Sequence, residues 1–135
     1  YCPNLPHKIC KEIHKFANTS IDISDGLISD MIKLINNQKL SFEIDVNKIP
    51  VSKNLAFYLK KYKKIKIHYL FSGDDYQILF TAPKKNRLLI KSIGERMNQK
   101  FTIIGKINNG YKKNLIKKAN KSLNLTKFKG YSHKF

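Results

Sequence analysis

The first part of the chain alternates between helical and strand-like patterns of apolar residues. His7 to Phe16 carries apolar side chains at helical spacing, which predicts a helix. From Ser20 to Ser24, apolar and polar residues alternate. This predicts a short strand whose polar face carries Asp22 and Ser24.

A second helix is predicted directly after this strand. Asp25 is of a residue type that caps helices, and the helix would run from Gly26 to about Asn36. Its predicted apolar stripe is Leu27, Ile28, Met31, Ile32, Leu34 and Ile35. Asp30 and Lys33, three residues apart, are interpreted as a surface pair on the same helix.

The rest of the chain continues to mix the two patterns. The predicted elements are a strand over Leu40–Val46, a helix from the cap Ser52 to about Tyr62, a strand over Tyr76–Ala82, a helix over Lys84–Gln99, a strand over Phe101–Ile107 interrupted by Gly105, and a turn over Asn108–Gly110. The last twenty residues are weakly patterned. Strands and helices alternate without strict βαβ regularity, so we predict an α+β fold with a mixed β-sheet and packed helices.

Composition limits the classes of protein to consider. The 135 residues suit a single domain, and no apolar run is long enough for a transmembrane helix. The net charge of +18 is that of a polyanion binder, but 25 of the 27 basic residues are Lys, in the scattered pattern that an A/T-rich coding sequence produces. Two cysteines make no disulfide framework, so we expect a reducing cytoplasm. The initial Tyr1 suggests a start inside a longer protein.

The few acidic residues cluster, and one cluster favours a metal site. Asp22, Ser24 and Asp25 lie where the predicted strand meets the predicted helix. Hard oxygen ligands suit Mg²⁺, and amides at the start of the helix would attract phosphate. The alternative is that Asp25 only caps the helix and Asp22 is a solvated strand residue.

A second acidic pair, Asp74 and Asp75, follows Ser72-Gly73 and leads into a predicted strand. Adjacent carboxylates at such a place are costly unless a cation or a donor neutralises them. A type I turn is the alternative interpretation. Cys10 and His14 share a helix face, but two ligands do not make a metal site.

Taken together, the motifs resemble those of the bacterial thiamine-monophosphate kinase family, within the superfamily of aminoimidazole ribonucleotide synthetase. The matching segments are Ile21–Leu27 (Ile-Asp-Ile-Ser-Asp-Gly-Leu), Gly73–Thr81 (Gly-Asp-Asp-Tyr-Gln-Ile-Leu-Phe-Thr), Glu43–Ser52, Phe101–Ile107 and the tail Gly130–Phe135. The resemblance implies the C-terminal half of an ATP-dependent kinase that converts thiamine phosphate to thiamine diphosphate.

The resemblance also implies roles for single residues. Asp22 and Asp25 would bind Mg²⁺, and Ser24 would contact ATP. Asp74 and Tyr131 would contact the thiamine substrate. It assigns no catalytic residue to this chain.

On this resemblance, residues 1–135 are one C-terminal domain, and the N-terminal domain that completes the ATP and Mg²⁺ site is absent. The fragment alone would be a poor or inactive kinase, and the whole protein would be a cytoplasmic homodimer. Ser72, Gln77 and Ser132 depart from the usual residues of the family, and the sequence leaves open what these departures do to substrate positioning.

The sequence is compatible with two other functions. One is another member of the same superfamily, acting in selenophosphate synthesis or hydrogenase maturation. The other is a basic module that binds nucleic acid or another polyanion, with an affinity that falls steeply as salt rises. Scattered lysines without interleaved aromatic residues make nucleic acid the weaker interpretation.

Overall fold

The computed structural model describes residues 7–36, 38–62, 77–110, 113–118 and 121–123. The helices are α1 (His7–Ile13), α2 (Leu27–Leu34), α3 (Lys53–Lys61) and α4 (Arg87–Arg96). The strands are β1 (Thr19–Asp22), β2 (Leu40–Asp45), β3 (Ile78–Thr81), β4 (Gly105–Asn109), β5 (Leu115–Lys118) and β6 (Lys121–Leu123). Short 3-10 turns occupy Val46–Lys48 and Lys84–Asn86. In this described part, no helix combines the length and apolar character needed to cross a membrane.

The strands form two sheets. β1 and β3 pair antiparallel, with Asp22 opposite Ile78 at one end. The other sheet has the order β4-β2-β5-β6, in which β2 and β5 run parallel and the remaining pairs run antiparallel. Helices pack with these sheets, of which the four-stranded one is mixed, so the predicted α+β class is confirmed.

The β1–β3 pair lies between two apolar cores. The larger core joins α2 to the four-stranded sheet, and its buried members are Ile23, Leu27, Ile28, Met31, Ile35, Phe42, Ile44, Val46, Leu79 and Ile116. The smaller core has Ile9, Phe16 and Ile93 at its centre. Ile78 and Phe80 pack against the smaller core, whereas Leu79 belongs to the larger one. Because successive side chains of a strand point to opposite faces, β3 contributes side chains to both cores.

Two predictions about the helices need correction. Ile32, predicted to lie in the apolar stripe of α2, is 50% exposed. The helix predicted over Lys84–Gln99 is shorter, because a 3-10 turn precedes α4 and Asn98 adopts φ +49° after it. By contrast, the cap at Ser52 is confirmed, since its hydroxyl accepts a hydrogen bond from the amide of Leu55 at 3.1 Å.

The strand predicted from Phe101 begins only at Gly105. Phe101 packs against the smaller core and Ile104 against the larger one, so the segment between them crosses from one core to the other and does not pair as a regular strand. Where pairing begins, a Cβ at Gly105 would lie 2.1 Å from the Glu43 carbonyl oxygen. Glycine thus allows the close approach of β4 to β2. The weakly patterned end of the chain contains β5 and β6, which the sequence did not predict.

Candidate functional site

The candidate site is the turn between β1 and α2. The Ile23 amide donates to the Gln77 carbonyl at 2.9 Å, which continues the pairing one residue beyond the end of β1. Ile23 is buried in the larger core, whereas Asp22 and Ser24 are exposed. The predicted polar face is therefore confirmed, and it carries the first two candidate ligands.

Gly26, rather than Asp25, is the N-cap residue of α2. Its backbone has φ +109° and ψ +148°, a conformation that is open to glycine and strained for other residues. No side chain at this position caps the helix. The interpretation of Asp25 as the helix cap is therefore wrong, because the chain turns into the helix one residue later.

The turn is held by Asp30, which lies inside α2. One carboxylate oxygen, Oδ2, accepts hydrogen bonds from the amide of Ser24 at 2.9 Å and from the amide of Asp25 at 3.0 Å. The other oxygen, Oδ1, accepts from the Lys33 ammonium at 2.8 Å. Asp30 is 0% exposed, so its interpretation as half of a surface pair is wrong.

A signal for Asp30 was present in the sequence. Asp30 is three residues after Leu27 and four before Leu34, so it lies on the apolar side of the predicted helix. A lone carboxylate on such a stripe needs several donors to be buried. The sequence pattern shows that a carboxylate lies on the apolar side of the helix, but it does not show which groups donate hydrogen bonds to that carboxylate.

Lys33 links Asp30 to the candidate ligand Asp25. Its ammonium also donates to the Asp25 carboxylate, eight residues earlier in the chain. The hydrogen bonds to Asp25 and Asp30 raise the pKa of Lys33 to about 12. Burial acts to raise the pKa of Asp30, but the hydrogen bonds from Lys33 and from the amides of Asp25 and Ser24 outweigh it and lower that pKa. Both side chains are thus charged at neutral pH.

The expected binding of phosphate by amides at the start of α2 stays a prediction, because the two backbone amides that donate to Asp30 both lie before the helix. The amides of Ser24 and Asp25, which immediately precede the start of α2, already donate to a carboxylate of the chain itself. Asp30 therefore occupies these two donors, and a phosphate at this helix would need others.

The donor chemistry of the turn fits a magnesium ion. Asp22 and Ser24 present oxygen atoms to solvent, and the Asp25 side chain is 28% exposed. Hard oxygen ligands of this kind, completed by water, are what Mg²⁺ prefers. The Lys33 ammonium already contacts Asp25, so this carboxylate has a cationic partner in the structure. Within the described ranges, no three His, Cys, Asp or Glu side chains converge as a ready-made metal site.

The remaining predicted site residues do not lie in the described part of the β1–α2 turn. Asp74 and Tyr131, assigned to the thiamine substrate by resemblance, lie outside the described residues, as does the whole Ser72–Tyr76 motif. Cys10 and His14 are both exposed. The described part of the site therefore consists of the turn and the residues of α2 that hold it.

Comparison with known proteins identifies relatives of one kind, although no family model matches the chain. Thiamine-monophosphate kinase of Aquifex aeolicus is 49% identical over 76 residues, which cover 56% of this chain and 25% of that protein. The enzyme of the same name from Buchnera aphidicola of Schizaphis graminum is 37% identical over 127 residues, covering 90% of this chain and 37% of that protein. The chain thus spans between 25% and 37% of the length of these two relatives.

Solved structures lead to the same family. The chain superimposes on thiamine-monophosphate kinase from Stenotrophomonas maltophilia with a TM-score of 0.75 and 25% identity, covering 84% of this chain and 35% of that one. AaThiL in complex with AMPPCP and TMP gives a TM-score of 0.63 and 35% identity, covering 86% of this chain and 34% of that one. The resemblance found in the motifs is confirmed: the chain is a relative of the thiamine-monophosphate kinases and corresponds to about one third of such an enzyme.

Proposed function

We propose that this chain is the C-terminal half of an ATP-dependent thiamine-phosphate kinase. The observation that carries the proposal is the β1–α2 turn, in which the buried Asp30 accepts hydrogen bonds from the amides of Ser24 and Asp25, just after Asp22 at the end of β1. The likeness to AaThiL, which was solved with AMPPCP and TMP, supports it. In the reaction, the γ-phosphoryl group of ATP is transferred to the terminal phosphate of thiamine phosphate, leaving ADP and thiamine diphosphate.

In this proposal each part of the turn has its own task. Asp22 and Asp25 hold Mg²⁺, and the Ser24 hydroxyl contacts ATP. The bound ion supplies charge that offsets the negative charge of the phosphates. Asp74 contacts the cationic thiazolium of the substrate, and the Tyr131 ring adds an aromatic face.

The proposal further requires an upstream half of the protein. That half completes the ATP and Mg²⁺ site and forms the homodimer interface, so the 135-residue chain alone is a poor catalyst. The proposed setting is the cytoplasm, where ATP and Mg²⁺ are both present.

The test is to measure ADP and thiamine diphosphate formed from ATP, Mg²⁺ and thiamine phosphate by this chain with and without the upstream half. We expect turnover only with both halves present. Asp22→Asn in the joined protein should lower turnover at least tenfold if the Asp22 carboxylate holds the ion, a range typical of lost charge stabilisation. No turnover by a folded joined protein would contradict the proposal.

Asp45→Asn is the matched control for this test. Asp45 caps the 3-10 turn after β2 through its contact with the Asn47 amide at 3.0 Å, and an asparagine there can keep that bond. The control removes one carboxylate charge away from the β1–α2 turn, so it should leave turnover close to that of the unmodified protein. An equal loss in both variants would indicate a general effect of charge rather than a role for Asp22.

A further inference from the structure

The ammonium group of Lys33 occupies a place where a cation bound at Asp25 would lie. It contacts the carboxylate of Asp25 and, at 2.8 Å, that of Asp30. These two carboxylates differ in their other partners, since Asp30 also accepts two backbone amides. If the Lys33 ammonium moves, Asp30 keeps its two hydrogen bonds from backbone amides, whereas Asp25 loses its ion pair with Lys33.

Lys33 is able to give up its exposed contact with Asp25 at low cost while it keeps Asp30 as a partner. Its side chain is 49% exposed, so the ammonium can rotate into water without being stranded in the apolar core. Exposed ion pairs of this kind contribute little net stability, because solvent compensates for the lost contact. The contact with Asp25 is therefore a reversible one.

We infer that Lys33 is a tethered cation that competes with a divalent metal ion for Asp25 and so sets the metal affinity of the turn. The inference rests on the proposed function, in which Asp22 and Asp25 are the metal ligands. A metal ion approaching Asp25 has to displace a positive charge that the helix supplies. Removing that charge leaves the turn more negative and strengthens its attraction for a divalent ion.

The first experiment measures Mn²⁺ binding to the full 135-residue chain, with Mn²⁺ as the probe for Mg²⁺, by electron paramagnetic resonance of the free ion. Lys33→Gln removes the charge but keeps an N–H group that can reach Asp30. We expect this variant to bind Mn²⁺ on the order of tenfold more tightly than the unmodified chain, as expected for the loss of one partly screened charge at contact distance. Lys33→Arg keeps the charge and should bind as the unmodified chain does.

Lys15→Gln is the matched control. Lys15 is 47% exposed and contacts the Glu12 carboxylate at 2.9 Å, so it is similar to Lys33 in exposure and in ion pairing. Its loss changes the net charge equally and should leave Mn²⁺ affinity unchanged. The double variant Lys33→Gln/Asp25→Asn should lose the gain in affinity, because the competed ligand is gone.

A second measurement follows metal binding to the unmodified chain and uses the charge-conserving variant Lys33→Arg only to assign one signal. Ammonium signals of hydrogen-bonded lysines are followed by NMR during addition of Mg²⁺, with the Lys33 signal assigned by its loss in Lys33→Arg. The Lys33 signal should shift or disappear, whereas that of Lys117, paired with Glu43 at 2.9 Å, should persist.

The outcomes separate this inference from the proposed function. Equal or weaker Mn²⁺ binding by Lys33→Gln, no binding by that variant, or an unchanged Lys33 signal at saturating Mg²⁺ would each overturn the inference. None of these measurements contains ATP or thiamine phosphate, so they leave the result of the kinase assay standing on its own. Conversely, tighter binding by Lys33→Gln supports the inference even where phosphoryl transfer to thiamine phosphate fails.

Discussion

The helices α2 and α3 begin in different ways, although both follow an extended segment. At α3, the hydroxyl of Ser52 accepts a hydrogen bond from the amide of Leu55, three residues later. No residue of that helix is buried. At α2, the N-cap Gly26 offers no side chain, and the carboxylate of Asp30 reaches back from inside the helix to the amides of Ser24 and Asp25. The Ser52 hydroxyl stabilises only the start of α3, whereas the Asp30 carboxylate also holds the turn that precedes α2.

The two helix starts differ because only the start of α2 contains a buried charge, that of Asp30. A buried carboxylate is costly unless donors surround it, and Asp30 has three: two amides and the Lys33 ammonium. A satisfied network of this kind fixes a single backbone conformation. It does so at the turn that carries Asp22 and Asp25, which is the place where the proposed metal site needs a fixed geometry.

The largest expected effect comes from removing the buried carboxylate. Asp30→Ala leaves the amides of Ser24 and Asp25 without their acceptor, so the free energy of unfolding should fall by about 3 kcal/mol. Urea denaturation of the 135-residue chain measures this loss. Asp30→Asn keeps one acceptor oxygen and should lose less. A loss no greater than that of a surface substitution would contradict the role of Asp30 in holding the turn.

A smaller effect is expected at the start of α3. Ser52→Ala removes the capping hydroxyl but leaves no buried group unpaired, so it should lower the free energy of unfolding by about 1 kcal/mol. The same urea denaturation measures it, and Ser52→Asp, which retains a capping oxygen, is the control. If Ser52→Ala cost as much as Asp30→Ala, the contrast between the two helix starts would be lost.

The smallest effect depends on pH, because protonation weakens the hydrogen bonds of Asp30 without removing its oxygens. The pKa of Asp30 is lowered from the usual 3.8, so the folded state binds its proton less readily than the unfolded state. The stability contributed by Asp30 is fully present above the unfolded pKa and is lost as the pH falls through the folded pKa. Unfolding free energies measured toward acid pH in metal-free buffer should therefore fall more steeply for the unmodified chain than for Asp30→Asn.

The comparison of slopes isolates Asp30 from other acids. Hydrogen bonds from Lys15 and Lys117 lower the pKa values of Glu12 and Glu43, respectively, so these carboxylates also make the fold sensitive to acid. They are present in both proteins and cancel in the difference. Identical slopes for the two proteins would show that Asp30 does not contribute through its charge.

Much of the local structure could be predicted from the pattern of residues alone. The polar face of Asp22 and Ser24, the cap at Ser52 and the apolar stripe of α2 except for Ile32 depend on residues close in sequence. The expectation that amides at the start of α2 attract phosphate stays a prediction, since the Asp30 carboxylate accepts from the amides of Ser24 and Asp25, which precede the helix.

One pairing that the sequence did not predict joins distant parts of the chain. β5 lies parallel to β2, and this pairing joins residues more than seventy positions apart, such as Ile44 and Ile116. β5 has no strong pattern of its own, since Ile116 is its one buried position. β5 pairs with the edge of β2 that β4 leaves available, and β6 then pairs with β5.

The sequence by itself determined the α+β class, the motif from Asp22 to Gly26 and the kinship with thiamine-monophosphate kinases, because each of these depends on the type and order of neighbouring residues. Only the tertiary structure decided that Asp30 is buried, that Gly26 begins the helix and that Lys33 bridges two carboxylates. The physical reason is that the cost of burying a charge depends on the donors around it, and those donors gather only when the turn has closed against the helix.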